Sequence, residues 1–186
     1  MLLNIIHPVN YLLDDCAERD RKLMHFVNRA LDAHTKILMH HYGDGNTLTS
    51  ALQEAILEVY DFTYLLDARI ERIATSNYGT PLRDAQPDDI SLVEWDALKQ
   101  NLISHSELQQ KIGNASTLMC IGGVLENCLA NALDYFQSHI RHDQTLFYTT
   151  ELCISLNPED FHRKKLALES HGVKSLTYEE ALRLLF

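Results

Sequence analysis

The chain has 186 residues, a net charge of −10 and four cysteines. That length suits one compact domain over 1–186 with a full-sized core, and the acidic balance, without a basic run, argues against a nucleic-acid partner. The opening MLLNIIHPVNYLL lacks a basic lead-in and is broken by Asn4, His7 and Asn10, so it reads as neither a signal peptide nor a membrane span. The cysteines, at 16, 120, 128 and 153, form no CxxC pair, and they read as reduced thiols of a cytoplasmic protein.

In chain order, Leu2–Ile6 is a first strand. Asp14 or Asp15 caps a helix running to about His34, with Leu23, Phe26, Val27, Ala30 and Leu31 on its apolar face. Ile37–Met39 is a second strand, and Gly43-Asp44-Gly45-Asn46 a loop. From Thr47 to about Thr75 the residues Leu48, Leu52, Ala55, Ile56, Val59, Phe62, Leu66 and Ile70 keep helical spacing, a stripe that fits core or a dimer surface. Ser76–Asp89, with Gly79, Pro81 and Pro87, is an irregular connection. Ile90–Val93 is a third strand, followed by a helix from Trp95 to about Ile112. Leu118–Ile121 is the fourth strand. Gly122-Gly123 breaks it, and a helix follows over Leu125–His139. Leu146–Tyr148 is the fifth strand, Pro158–His171 a helix with proline in its first turn, and Val173–Leu176 the last strand. Thr177-Tyr178-Glu179-Glu180 is a capping box that opens the C-terminal helix.

This alternation predicts a three-layer α/β/α fold around a six-stranded, mostly parallel sheet. Such sheets bind ligands at the carboxyl ends of their strands. His7, His40, His41, Glu94 and Cys128 all fall just beyond predicted strand ends. Cys128 sits in the first turn of its helix, where unpaired N–H groups and the positive dipole end favour thiolate. The competing reading is a small buried core residue, which is also how Cys120 and Cys153, on strands, are read. Gly122-Gly123 lacks the third glycine of a dinucleotide fingerprint and the lysine of a P-loop. His40-His41 falls short of the three ligands that a metal site needs. No metal and no cofactor are expected.

The stretch IGGVLENCL (Ile121–Leu129) is similar to the TGVATNICV of the isochorismatase-like cysteine hydrolases, the group that includes nicotinamidases and N-carbamoylsarcosine amidases. ALDYF (Ala132–Phe136) resembles that family's next helix, and ELCIS (Glu151–Ser155) its D-A-C-A-S strand end. NPEDFHRKKLALESHGVKSLTYEEAL resembles its P-x-x-H-x-x-x-L helix and final T-x-E-E-x-L segment. LLNIIHPVNYLLD aligns with A-L-L-V-I-D-M-Q-N-D-F. Most of the chain is covered, Thr47–Asp89 least.

The resemblance implies a Cys-Asp-Lys triad in which the cysteine attacks a carbonyl or imine carbon, the aspartate moves its proton and the lysine supports the charges. It also implies an oxyanion hole of N–H groups beside the cysteine, here within Gly123, Val124, Leu125 and Asn127, near a cis peptide in the preceding turn. The pocket would include Asn10, His40, His41 and Trp95. Of the triad, only Cys128 is matched. The aspartate position aligns with His7. The lysine is expected after the third strand, where DDISLVEW resembles D-L-V-L-P-K-W and Glu94 takes its place; Lys99 lies a few residues on. His7 is a candidate base, since cysteine–histidine pairs form nucleophiles. A carboxylate near Cys128 raises the thiol pKa instead of lowering it. The expectation is a divergent member without the standard hydrolase activity, a homo-oligomer keeping the fold for binding a small molecule or for assembly. The alternative is a hydrolase of a small amide or related C–N substrate, with Cys128 as nucleophile and His7 as base.

Overall fold

A computed structural model describes residues 1–7, 17–42, 67–75, 79–81 and 101–186; labels below number the described elements. The chain forms β1 (Leu2–Ile6), α1 (Ala17–Asp32), β2 (Lys36–Tyr42), β3 (Ile70–Thr75), α2 (His105–Asn114) and β4 (Thr117–Ile121). It continues with a π-helical turn (Leu125–Leu129), α3 (Ala130–His139), β5 (Thr145–Tyr148), a 3-10 turn (Thr150–Leu152), α4 (Pro158–Ser170), β6 (Lys174–Ser175) and α5 (Tyr178–Arg183).

The six strands form one parallel sheet in the order β3-β2-β1-β4-β5-β6. β1 is central: Ile5 pairs with Met39 of β2 on one side and Ile121 of β4 on the other. Its five residues are all buried because both faces are covered. Leu2 and Ile6 face a core with Leu108 and Ile112 of α2, Leu133 and Phe136 of α3, and Leu168 of α4. Leu3 and Ile5 face the opposite core, with Leu23, Phe26, Val27 and Ala30 of α1 and Ala181 of α5. The side-chain period of two along the strand thus feeds two hydrophobic layers. The predicted α/β/α layering is observed, and the sheet is wholly parallel. No helix among the described residues is long and apolar enough to cross a membrane.

Several expectations change. The helix predicted to run to about Thr75 does not include Ile70–Thr75, which is strand β3. Ile70, Ile73 and Ala74 happen to match helical spacing. A turn at Asp67 intervenes, in which Asp67 Oδ1 accepts the Arg69 N–H at 2.8 Å and Asp67 O accepts the Ile70 N–H at 3.0 Å. Ile70 then enters register with Ile37 of β2. The rest of that predicted helix, and the strand predicted at Ile90–Val93, lie outside the described residues. The helix predicted from Trp95 starts, in its described part, at the capping box of Ser104 and Glu107. Before it, Arg72 N–H donates to Asn101 O and Ile103 N–H to Arg72 O, so residues 101–103 lie along the outer edge of β3. β2 extends to Tyr42, which places His40 and His41 inside the strand and not beyond its end. Cys153 lies in the bend after the 3-10 turn, not on a strand.

Candidate functional site

The carboxyl ends of β1 and β4 lie side by side, and each carries one predicted residue. β4 ends in Gly122 and Gly123, with φ of +80° and +65°. A Cβ on Gly122 would lie 2.7 Å from the Ile6 carbonyl oxygen, and one on Gly123 would lie 2.8 Å from Cys128 Sγ. Only glycine meets both the left-handed backbone and the close approach. The turn delivers Cys128 into the π-helical turn, where Leu129 N–H reaches back to Val124 O.

Cys128 is 3% exposed. Its Sγ accepts the Val124 N–H at 3.2 Å, and its thiol is directed at Val124 O at 3.9 Å. Burial pushes the thiol pKa up; the N–H groups of Val124, Leu129 and Cys128 pull it down, and the Glu126 charge raises it further. The expected stabilisation of thiolate by the helix start is therefore present but outweighed by desolvation. Val124 N–H is engaged by sulfur, Leu125 N–H by Ile154 O at 2.9 Å, and Asn127 N–H by Val124 O at 3.1 Å. Three of the four residues expected to offer oxyanion donors thus turn their N–H groups inward. Among the described residues every peptide bond is trans, so the implied cis peptide is not found in this turn.

His7 follows β1 with φ +41°, an uncommon conformation for a side-chain-bearing residue and more so before proline. Its N–H donates to His40 O at 3.2 Å, and its Nε2 shares a 2.7 Å hydrogen bond with Thr75 Oγ1 at the end of β3. Burial lowers its pKa to about 3, so the ring is neutral. No hydrogen bond joins it to Cys128 among the described residues. Thr75, fully buried, is the residue that sequence reasoning missed; a threonine ending a strand carries no signal that a histidine 68 positions away will bond to it.

His40 is fully buried below this level. Its Nε2 meets Asn4 Oδ1 at 3.2 Å, and its ring stands edge-on to Phe136 at 5.8 Å. It is a core histidine on the α3 side of the sheet. Asn10, Glu94, Trp95 and Lys99 lie outside the described residues. The third described strand in chain order, paired with β2, is Ile70–Thr75. Among the described residues no three His, Cys, Asp or Glu side chains gather as metal ligands.

No protein-family model matches the sequence, and no curated protein matches it. Solved structures do match. MAR1 ribonuclease from Caenorhabditis elegans aligns with a TM-score of 0.59 at 9% identity, over 99% of this chain and 80% of that one. The nicotinamidase SaPncA from Staphylococcus aureus aligns with a TM-score of 0.57 at 11% identity, over 94% and 97%. The Escherichia coli YcaC gene product, described as an octameric hydrolase of unknown specificity, aligns with a TM-score of 0.55 at 11% identity, over 97% and 76%. The chain has the isochorismatase-like hydrolase fold.

Within this isochorismatase-like fold, Glu126 fastens the Cys128 turn to α4. Its Oε1 accepts Ser155 Oγ–H at 2.5 Å and the Asn157 N–H at 3.0 Å. Asn157 in turn caps α4, its Oδ1 accepting from Glu159 N–H and Asp160 N–H. Cys120, Cys128 and Cys153 are all free thiols, and burial pushes Cys153 up to about 12.

Proposed function

We propose that this chain keeps the isochorismatase-like fold for binding a small molecule or for assembly, without the standard hydrolase reaction. The observation that carries this reading is the state of the Cys128 turn. A thiol held protonated by burial is a weak nucleophile, and N–H groups bonded within the turn are not aimed at a developing oxyanion. Among the described residues no hydrogen bond joins the neutral His7 ring, whose Nε2 is bonded to Thr75, to the sulfur. Assembly as a homo-oligomer is supported by the octamer described for the YcaC product. One neighbour is described as a ribonuclease, but a net charge of −10 argues against a phosphate backbone as ligand here.

The test is hydrolysis of nicotinamide and a panel of small amides by the wild-type chain and by Cys128→Ala. The expected outcome is no turnover that depends on Cys128, together with Cys128 alkylation by iodoacetamide slower than that of free cysteine at neutral pH. Turnover lost in Cys128→Ala would establish the second reading, a cysteine hydrolase with His7 as base. The adjacency of β1 and β4, which brings both residues to neighbouring strand ends, favours that alternative.

A further inference from the structure

α4 is long but gives little to the core. Of its 13 residues only Leu168 is buried, and Phe161 is partly buried against the same core. α3, on the same side of the sheet, buries Ala130, Ala132, Leu133 and Phe136 over 10 residues. Glu159, Arg163, Leu166 and Ser170 recur at i, i+4, i+7 and i+11, so they share one helix face, and all four are exposed. Among the described residues four large apolar side chains are exposed, and two of them belong to this helix and its approach. Leu156, just before the Asn157 cap, is 51% exposed, and Leu166 is 54% exposed.

Charge on α4 is divided. Glu159 and Asp160 stand in its first turn, and His162, Arg163, Lys164 and Lys165 follow. That order complements the helix dipole, but the dipole gives no reason for exposed leucines on either side of the charges. Arg163 Nη2 meets Asp160 Oδ1 at 2.5 Å, yet the Arg163 side chain is 77% exposed, and a guanidinium keeps further donors. Glu159 has no ion pair among the described residues.

Such a helix is complementary to a second copy of itself running antiparallel. A two-fold axis at the level of Phe161 sets residues equally distant from it opposite one another. Glu159 and Arg163 lie two residues to either side of that level, and Leu156 and Leu166 five. A single axis therefore brings each Glu159 to the partner's Arg163 and each Leu166 to the level of the partner's Leu156. The basic run also gives a chain of net charge −10 a local site that attracts its own kind.

We propose that α4 is a self-association surface on which two copies of this chain pair antiparallel, through reciprocal Glu159–Arg163 contacts flanked by Leu156 and Leu166. This rests on the assembly reading above and names its partner and its surface. One helix pair is a small interface, so the association is weak and salt-sensitive.

The experiment is sedimentation velocity on the full chain over a concentration series at low salt. The wild type is expected to self-associate. Arg163→Glu and Glu159→Arg each place like charges opposite one another twice, and each is expected to weaken association about tenfold or more. The double variant Glu159→Arg/Arg163→Glu reverses both charges and is expected to recover most of the wild-type association. Unchanged association in both single variants would overturn the α4 pairing while leaving assembly through another surface standing. Weakening without recovery in the double variant would overturn the antiparallel register. A wild-type chain that stays monomeric throughout would overturn the pairing and the assembly reading together, and the Cys128 hydrolysis assay judges the rest of that reading on its own. If one single variant does not fold, the other and the double variant decide.

Discussion

His7 combines a positive φ, near-complete burial and a hydrogen bond across β2 to Thr75, and each has a stability consequence. Its folded pKa of about 3 lies below the unfolded value of 6.5. The neutral ring is favoured by folding, so its contribution is complete above pH 6.5 and is lost as pH falls from 6.5 toward 3. His7→Asn removes the titration while keeping a residue that tolerates positive φ. Urea midpoints measured from pH 7 to pH 4 are expected to fall less steeply in His7→Asn than in the wild type. Equal slopes would show that the His7 ring does not carry the acid sensitivity. The placement of His7 and Cys128 after neighbouring strands was readable, because a histidine after a strand and a cysteine after a glycine turn are local patterns. Their chemical state was not, since it depends on burial and on partners far along the chain.

Helix starts are where short-range sequence decides most in this molecule. Ser104 Oγ accepts the Glu107 N–H while Glu107 Oε2 accepts the Ser104 N–H at 2.7 Å, and Thr177 with Glu180 repeats the arrangement at α5. Ser104→Ala is expected to cost about 1 kcal/mol, seen as a lower urea midpoint at unchanged slope; no loss would mean that α2 is held by packing alone. The same two motifs show what could be read from sequence. Thr177–Glu180 was recognised because it follows a clear strand. Ser104–Glu107 was not, because the apolar spacing from Trp95 onward had already suggested one continuous helix. β3 was misread for a related reason. Ile70, Ile73 and Ala74 fit the helical period, whereas in the strand Ile70 and Ile73 fall in opposite cores; what selects strand is the open edge of β2, a partner no local window contains. β4, β5, α3 and α4 came through with boundaries near those expected, since glycine, proline and strong periodicity mark them.

At the scale of the whole molecule, two cores share one sheet, and α3 packs on the face that carries His40 and Cys128. Phe136 is fully buried there, edge-on to both His40 and Tyr135. Phe136→Ala is expected to cost about 3–5 kcal/mol, read from chemical denaturation. A loss below about 1 kcal/mol would mean that the face collapses to fill the space, and that packing on this side is looser than the burial suggests.

The Ile6 carbonyl has a consequence that reaches beyond its own strand. Gly122 and Gly123 both pack against it, and the next residue is His7, whose main chain is tied to His40 and whose ring is tied to Thr75. A side chain added at Gly122 must push that carbonyl, one at Gly123 meets the Cys128 sulfur first and the carbonyl next, and a displaced carbonyl passes directly into His7. Substitutions in the turn and at His7 should therefore be non-additive, although they lie on separate strands. An engineer placing an acid at position 7 would be redesigning the glycine turn at the same time.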